Sequence, residues 1–285
     1  MMNNKIKLAV NTSIYDGYDL DVAFSSIKKC GFDFFELAYN QGYVSNLNDS
    51  LFTIENANYI NSLKEKYKLD TLALGCTMDL STEGLYSIFL PRLRFANLIG
   101  VKYINVCTTK LMNKEKLIEN LISLKPLLDE FDCILCLENA GDYNFNAFTT
   151  LDDGIALLNI LGFERYALNF DPGNMATYQP DLDILSQAIK SIDYCRYFHI
   201  KDVACKDDKF NFVTIGEGSI NYLPIINEIM KENIPCSLEI PLRIYRELDS
   251  TPVKKEERVS LDLIENVLIK SREYIDNAIK GTDLK

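Results

Sequence analysis

Four side chains able to hold a metal ion each close a short apolar run. They are Glu138 in Cys136-Leu137-Glu138-Asn139, Asp171 in Asn169-Phe170-Asp171-Pro172-Gly173-Asn174, His199 in Tyr197-Phe198-His199-Ile200-Lys201-Asp202 and Glu239 in Ser237-Leu238-Glu239-Ile240-Pro241. His199 is the only histidine of the chain. Taken singly, each is an ordinary polar residue at a strand end, satisfied by a neighbouring carbonyl or amide. Four in successive runs, at equivalent depth, form a pattern that chance does not favour. Three carboxylates and one imidazole make a hard, oxygen-rich donor set that suits Mn²⁺, Mg²⁺ or Co²⁺ and tolerates Zn²⁺. One dication in such a set leaves a net charge of about −1 before substrate binds. Side chains alternate along a strand, so Lys201 shares a face with His199. It is either a compensating charge or substrate donor, or a solvated loop lysine.

These residues converge only if the runs are neighbouring strands. Eight repeats of apolar run, turn and amphipathic helix follow one another, at about 35 residues each, the length expected of a (β/α)₈ unit. The predicted strands are 6–11, 33–37, 71–76, 103–107, 133–138, 166–171, 194–199 and 235–239. The predicted helices fall near 19–29, 54–66, within 81–98, 113–128, 151–161, 181–191, 221–231 and 259–280. The runs are near-continuously apolar, as in strands buried on both faces of a parallel sheet, and helices separate them as right-handed crossovers require. The pattern predicts an α/β fold, a (β/α)₈ barrel forming one domain over 1–285. A doubly wound open sheet would more often carry a Gly-rich turn after its first strand, and Asn11-Thr12-Ser13-Ile14 is none.

In a barrel the C-terminal strand ends share one face, where chemistry sits. Asn11 and Glu36 end the first two strands and are candidates to line that mouth as substrate contacts. Arg243, just after Glu239, could hold a phosphate or carboxylate, or lie on the surface. Cys76 and Cys107 read as small wall residues. Gly216-Glu217-Gly218 has no following Lys-Ser/Thr, so it reads as a turn into the next helix rather than a phosphate cradle. Asp171-Pro172-Gly173 likewise reads first as a turn. The segment 201–217 reads as a long polar loop, and it and 41–53 are where specificity is expected.

Bulk properties narrow the function. Apolar residues make up 47% and charged residues 25%, values of a globular protein. A net charge of −11 argues against nucleic-acid backbones, which call for clustered Lys and Arg. No signal peptide and no span of about 20 apolar residues is evident, which argues against a membrane. The eight cysteines, several inside apolar runs, read as reduced thiols of a cytoplasmic protein. Cys133 and Cys136 have C-x-x-C spacing but lie on one strand and point to opposite faces. The sequons at Asn11 and Asn48 are therefore expected to be chance. A homo-oligomer is left open.

The strand-end motifs and the Gly216-Glu217-Gly218 loop end together resemble the xylose isomerase-like barrel superfamily. It comprises sugar isomerases, epimerases and inosose dehydratases, with the apurinic endonucleases. The resemblance runs over nearly the whole chain. It implies that Glu138, Asp171, His199 and Glu239 bind one divalent ion (Mn, Zn, Mg or Co). Two departures stand out. Ketose 3-epimerases of the group carry a second His where this chain has Asn174, and an Arg where it has Cys205. Both contact substrate there, which counts against ketose 3-epimerisation. Apurinic endonucleases need several more histidines than this chain has.

The expected activity is metal-assisted proton transfer on a small keto-sugar or polyol, phosphorylated or not, with Glu138 and Glu239 as the catalytic pair: isomerisation or epimerisation. An inosose dehydratase-type lyase is the alternative on the same site. A non-catalytic metal- or sugar-binding barrel is the alternative of another class.

Overall fold

The computed structural model describes residues 6–40 and 49–282. Seven strands alternate with helices: β1 (Leu8–Asn11), β2 (Phe34–Ala38), β3 (Asp70–Gly75), β4 (Tyr103–Val106), β5 (Ile134–Glu138), β6 (Tyr166–Phe170) and β7 (Cys195–Ile200). A hairpin, β8 (Asp202–Lys206) and β9 (Lys209–Val213), precedes β10 (Cys236–Leu238). Two further strands follow, β11 (Ile244–Glu247) and β12 (Pro252–Lys254). The helices are α1 (Leu20–Lys29), α2 (Ile54–Tyr67), α3 (Leu85–Ile99), α4 (Lys114–Glu130), α5 (Leu151–Leu161), α6 (Pro172–Tyr178), α7 (Ile184–Ser191), α8 (Tyr222–Lys231) and α9 (Leu261–Thr282).

Strands β1 to β7 with β10 close a parallel barrel in which each pairs with its chain neighbours and β10 pairs with β7 and β1. This is a single TIM-barrel domain. The outer faces of the strands carry Val10, Phe35, Leu37, Ile104, Leu135, Leu137, Phe198 and Leu238. These pack with helix residues such as Phe24, Ile27, Leu93, Leu121 and Ile225 into one large core. The inner face is different. Its lower layer is a small plug of Ala73, Cys136, Ala167 and Tyr197. Above it the inward side chains turn polar: Asn11, Glu36, Asn105, Asn169 and Ser237 are all buried. Cys133 lies in the outer core and Cys136 in the inner plug, as opposite faces require.

Two of the predicted turns and loops are corrected. Asp171-Pro172-Gly173 opens α6: Asp171 is its N-cap, accepting the Asn174 N–H at 2.9 Å, and Pro172 takes the first helical position. An Asp cap followed by Pro is a helix start as much as a turn. The segment 201–217 is not an open loop. Its β8–β9 hairpin joins β11 and β12 in a four-stranded antiparallel sheet of order β12-β11-β9-β8. Asp207 and Asp208 at the hairpin tip both have positive φ (53° and 55°), the backbone a two-residue hairpin turn demands. The 41–53 loop falls mostly outside the described residues, as does Asn48.

Asp202 fixes this sheet to the barrel. Its carboxylate accepts the backbone N–H groups of Val203 (2.9 Å), Gly216 (2.9 Å), Gly218 (3.0 Å) and Ile220 (3.2 Å). A Cβ at Gly218 would fall 2.1 Å from Asp202 Oδ1, so only glycine admits the carboxylate there. The Gly216-Glu217-Gly218 turn into α8 is thus built around Asp202. Asp202→Ala strands four donors, and an orphaned buried donor costs about 1–3 kcal/mol. The variant is expected to lose at least about 2 kcal/mol in urea unfolding; a loss below about 0.5 kcal/mol would contradict this role for the carboxylate.

Candidate active site

The polar inner layer culminates in the four side chains singled out above. Glu138 ends β5, Asp171 follows β6, His199 is the penultimate residue of β7, and Glu239 follows β10. All four are buried, and one donor atom from each lies within 4.8 Å of all the others. A register shift at Leu168/Asn169 lies between β6 and β7, the strands that lead to Asp171 and carry His199. Such bulges commonly re-aim side chains beside active sites.

His199 Nδ1 faces the acids. It lies 3.3 Å from Glu138 Oε1, 3.2 Å from Glu239 Oε2 and 3.8 Å from Asp171 Oδ2. On the ring's other side, Nε2 lies 3.0 Å from Glu36 Oε2. A carboxylate can only accept, so Nε2 carries a proton; as a metal ligand the ring would give up its Nδ1 proton and turn that nitrogen to the cation. Glu36 is itself fixed: Asn105 Nδ2 donates to its Oε1 at 2.8 Å, and Ser237 Oγ donates to its Oε2. Asn139 pins the Asp171 backbone from both sides, donating to its carbonyl at 2.8 Å and accepting its N–H at 2.7 Å.

Lys201 is buried among these acids, its Nζ 2.6 Å from Asp171 Oδ2 and 2.5 Å from Glu239 Oε2. It supplies the compensating charge expected of it. Burial favours the neutral amine, but Asp171, Glu239 and Glu138 outweigh it and raise the lysine. Burial likewise favours a neutral imidazole, yet Glu36, Glu239 and Glu138 hold His199 well above its ordinary value. The acids are pushed apart. Burial raises Asp171 to about 7, against the pull of Lys201. Burial would raise Glu239 too, but Lys201 and His199 hold it well below the usual carboxylate range.

The set fits a divalent cation. Donor atoms of all four lie within 4.8 Å of one another, and three carboxylates with one imidazole are a donor set for a hard divalent cation. Asp171 Oδ2 and Glu239 Oε2 are buried without a well-directed hydrogen bond, although Lys201 lies close to both.

A cleft opens beside the cluster, lined by Glu138, Glu239, Lys201, Asn174, Cys107 and Phe145 among others. Of the four expected substrate contacts, Lys201 and Arg243 line this cleft. Asn11 and Glu36 do not, which corrects their placement at the mouth. Asn11 caps the turn 12–15 by accepting the Ser13 N–H at 3.0 Å. Glu36 lies behind His199. Arg243 is at the rim, tied to Asp16 at 3.2 Å and to the Lys255 carbonyl at 3.0 Å.

The structure adds Asn174 and Arg246 to the surroundings of the cluster; the sequence marks Asn174 only as a departure from related enzymes and does not mark Arg246. Asn174 Nδ2 donates to Glu138 Oε1 at 2.7 Å, and its Oδ1 accepts from Lys201 and Arg246, each at 3.0 Å. Cys205 is exposed, but a guanidinium reaches the cleft from another element, Arg246 of β11. An amide inside an apolar run, as in Tyr103-Ile104-Asn105-Val106 or Leu168-Asn169-Phe170, was the available signal for Asn105 and Asn169. Arg246 has no such local mark.

Fold and site together define a (β/α)₈ barrel with a candidate divalent-metal centre at the C-terminal ends of its strands. More narrowly, the chain belongs to the xylose isomerase-like TIM barrel family, whose profile matches residues 24–265. Similar solved structures include a D-psicose 3-epimerase with D-tagatose from Clostridium cellulolyticum, with a TM-score of 0.73 and 13% identity over 96% of this chain and 99% of that one. Another is a probable 3-DHS dehydratase from Bacillus anthracis, with a TM-score of 0.69 and 14% identity over 92% and 97%. A xylose isomerase-like TIM barrel protein from Mycobacterium smegmatis, in complex with magnesium, gives 0.70 and 14% over 99% of both chains. At these identities the likeness is one of fold. No curated protein sequence matches the chain. Among the described residues no helix is long and apolar enough to cross a membrane.

Carboxylates behind metal-binding histidines commonly contribute 10- to 100-fold in metal affinity. Glu36→Gln is therefore expected to weaken Mn²⁺ binding by about that factor in calorimetry, with the circular dichroism spectrum unchanged. An affinity within twofold of the parent would show that Glu36 does not orient the ring.

Proposed function

We propose that the protein is a divalent-metal-dependent isomerase or epimerase that moves a proton on a small keto-sugar or polyol. The observation that carries this reading is the pairing of Glu138 and Glu239. Both border the same cleft, each within 3.3 Å of His199 Nδ1, and Lys201 stands beside Glu239. Glu138, Asp171, His199 and Glu239 would hold the cation. When bound, it supplies Lewis acidity for a carbonyl oxygen and a neighbouring hydroxyl.

The chain's own residues do the proton work. Lys201 beside it favours the ionised form of Glu239, which can take the proton from the carbon next to the carbonyl. The C–H electron pair moves onto the carbonyl oxygen, giving an enediolate. The Lys201 ammonium can donate a hydrogen bond to the oxygen that gains charge. Glu138, braced by Asn174 at 2.7 Å, can in its protonated form give a proton to the opposite face or to the adjacent carbon, and exchange with water then returns a proton to Glu138 and removes the one on Glu239. Return to the same carbon inverts it; return to its neighbour, with the hydroxyl proton passing to the former carbonyl oxygen, moves the carbonyl. The same first step gives dehydration if the substrate carries a hydroxyl one carbon further on, with Lys201 placed to protonate it as it leaves.

A positioned carboxylate base contributes about 10²- to 10⁴-fold. In Glu239→Gln, solvent deuterium exchange into keto-sugars and inososes is expected to fall by at least about 10²-fold while the fold persists. Exchange at the parent rate would remove Glu239 from the proton transfer. A chelator is expected to abolish exchange and Mn²⁺ to restore it. A chain that holds metal and sugar yet never exchanges a proton would be the non-catalytic barrel instead.

A further inference from the structure

We propose that the substrate is anionic, a small keto-sugar or polyol derivative bearing a carboxylate or phosphate, and that Arg246 binds this group. The inference rests on the reading above that the cleft is a substrate site.

Three cations line the cleft: Lys201, Arg243 and Arg246. Lys201 holds Asp171 and Glu239, and Arg243 holds Asp16. Arg246 is the exception. It is 6% exposed, yet among the described residues no carboxylate forms an ion pair with it. Its partners are neutral: Nη1 donates to Thr177 Oγ1 at 2.5 Å, and Nη2 donates to Asn174 Oδ1 at 3.0 Å. Its Nε is buried with no hydrogen-bond partner among the described residues. A guanidinium stays charged at any working pH, and burying an unpaired charge is costly. A sugar hydroxyl could fill the orphaned donor but would leave the charge uncompensated. A carboxylate or phosphate does both, and the planar guanidinium fork matches either in geometry.

The surroundings hold the guanidinium in place for such a ligand. The Phe212 ring centroid lies 5.4 Å from its Cζ, so one face stacks on an aromatic. Gly141 lies against it on another side, and a Cβ there would fall 1.8 Å from Nη1. A side chain at residue 141 and the present position of Arg246 are mutually exclusive. Asn174 links this subsite to the proton-transfer residues, because its amide touches Arg246, Lys201 and Glu138 at once. The anionic group would therefore sit one side chain away from Glu138, at the end of the cleft walled by the antiparallel sheet.

The test uses the full-length Mn²⁺-loaded protein and calorimetry against three sets of probes. Ketohexuronates such as D-fructuronate form the carboxylate arm, and ketose phosphates such as D-fructose 6-phosphate form the phosphate arm. D-Fructose, D-tagatose and inososes form the neutral arm. At least one anionic probe is expected to bind about 10-fold or more tightly than its neutral counterpart, the scale of a charge-assisted pair. The arm that wins identifies the group. The ratio is expected to collapse to within about twofold in Arg246→Gln, and also in Gly141→Ala, which displaces the guanidinium without removing it; Arg246→Lys should keep part of it. Neutral probes binding as tightly as anionic ones, no anionic probe binding at about 10 mM, or a preference that survives both variants would each overturn the proposal. Deuterium exchange on the same samples separates the two readings. Exchange without anion preference removes Arg246's role and leaves the proposed function. Anion preference without exchange does the reverse.

Discussion

The structure depends on holding several carboxylates together out of water. Glu36, Glu138, Asp171 and Glu239 are all buried at the C-terminal end of one barrel. Desolvation and mutual repulsion both oppose this arrangement, and only opposite charge and directed hydrogen bonds can offset them. His199 is central because it meets acids on both sides of its ring, Glu36 on one and the other three on the other. Lys201 adds one fixed positive charge. The remaining support is neutral. Asn105, Ser237, Asn139 and Asn174 each use a short polar side chain to hold a carboxylate or its backbone in one orientation. The network is not closed: Asp171 Oδ2 and Glu239 Oε2, the two oxygens beside Lys201, are buried without a well-directed hydrogen bond.

The barrel and the antiparallel sheet divide the labour. The barrel strands deliver the acids, the imidazole and the lysine to the cleft floor. The sheet of β8, β9, β11 and β12 delivers Phe212, Ile244 and Arg246 to its wall. Asp202, next to Lys201 in sequence, joins the two by gathering four backbone N–H groups. A rigid barrel carrying a variable wall is how one fold supports many substrates. The wall contributes Arg246, a cleft cation that forms no ion pair with a carboxylate among the described residues.

The sequence showed the barrel well, because strands buried on both faces read as unbroken apolar runs and the helices between them are amphipathic. It also showed which four residues end neighbouring strands, since period-two geometry and chain order suffice for that. It placed Glu36 inward but not behind the histidine, a relation that needs the register Ser237↔His199 and Asn11↔Glu36 around the closed barrel. The β8–β9 hairpin hid because its outer residues, Lys206, Asp207, Asp208 and Lys209, are those of a solvated loop. The alternation of Phe210 and Phe212 was the signal that could have found it. Arg246 could not be read at all: it reaches Asn174 and Thr177 across about 70 residues of chain, and nothing local distinguishes it from a surface arginine.

The central claim is that four strand ends grip one cation. The most direct measurement is anomalous diffraction at the manganese edge from crystals grown with Mn²⁺. A single peak is expected, about 2.0–2.3 Å from one donor atom each of Glu138, Asp171, His199 and Glu239, with Glu36 still on Nε2 of the ring. No peak there, with Lys201 still bridging Asp171 and Glu239, or a peak bound by other residues, would contradict the account.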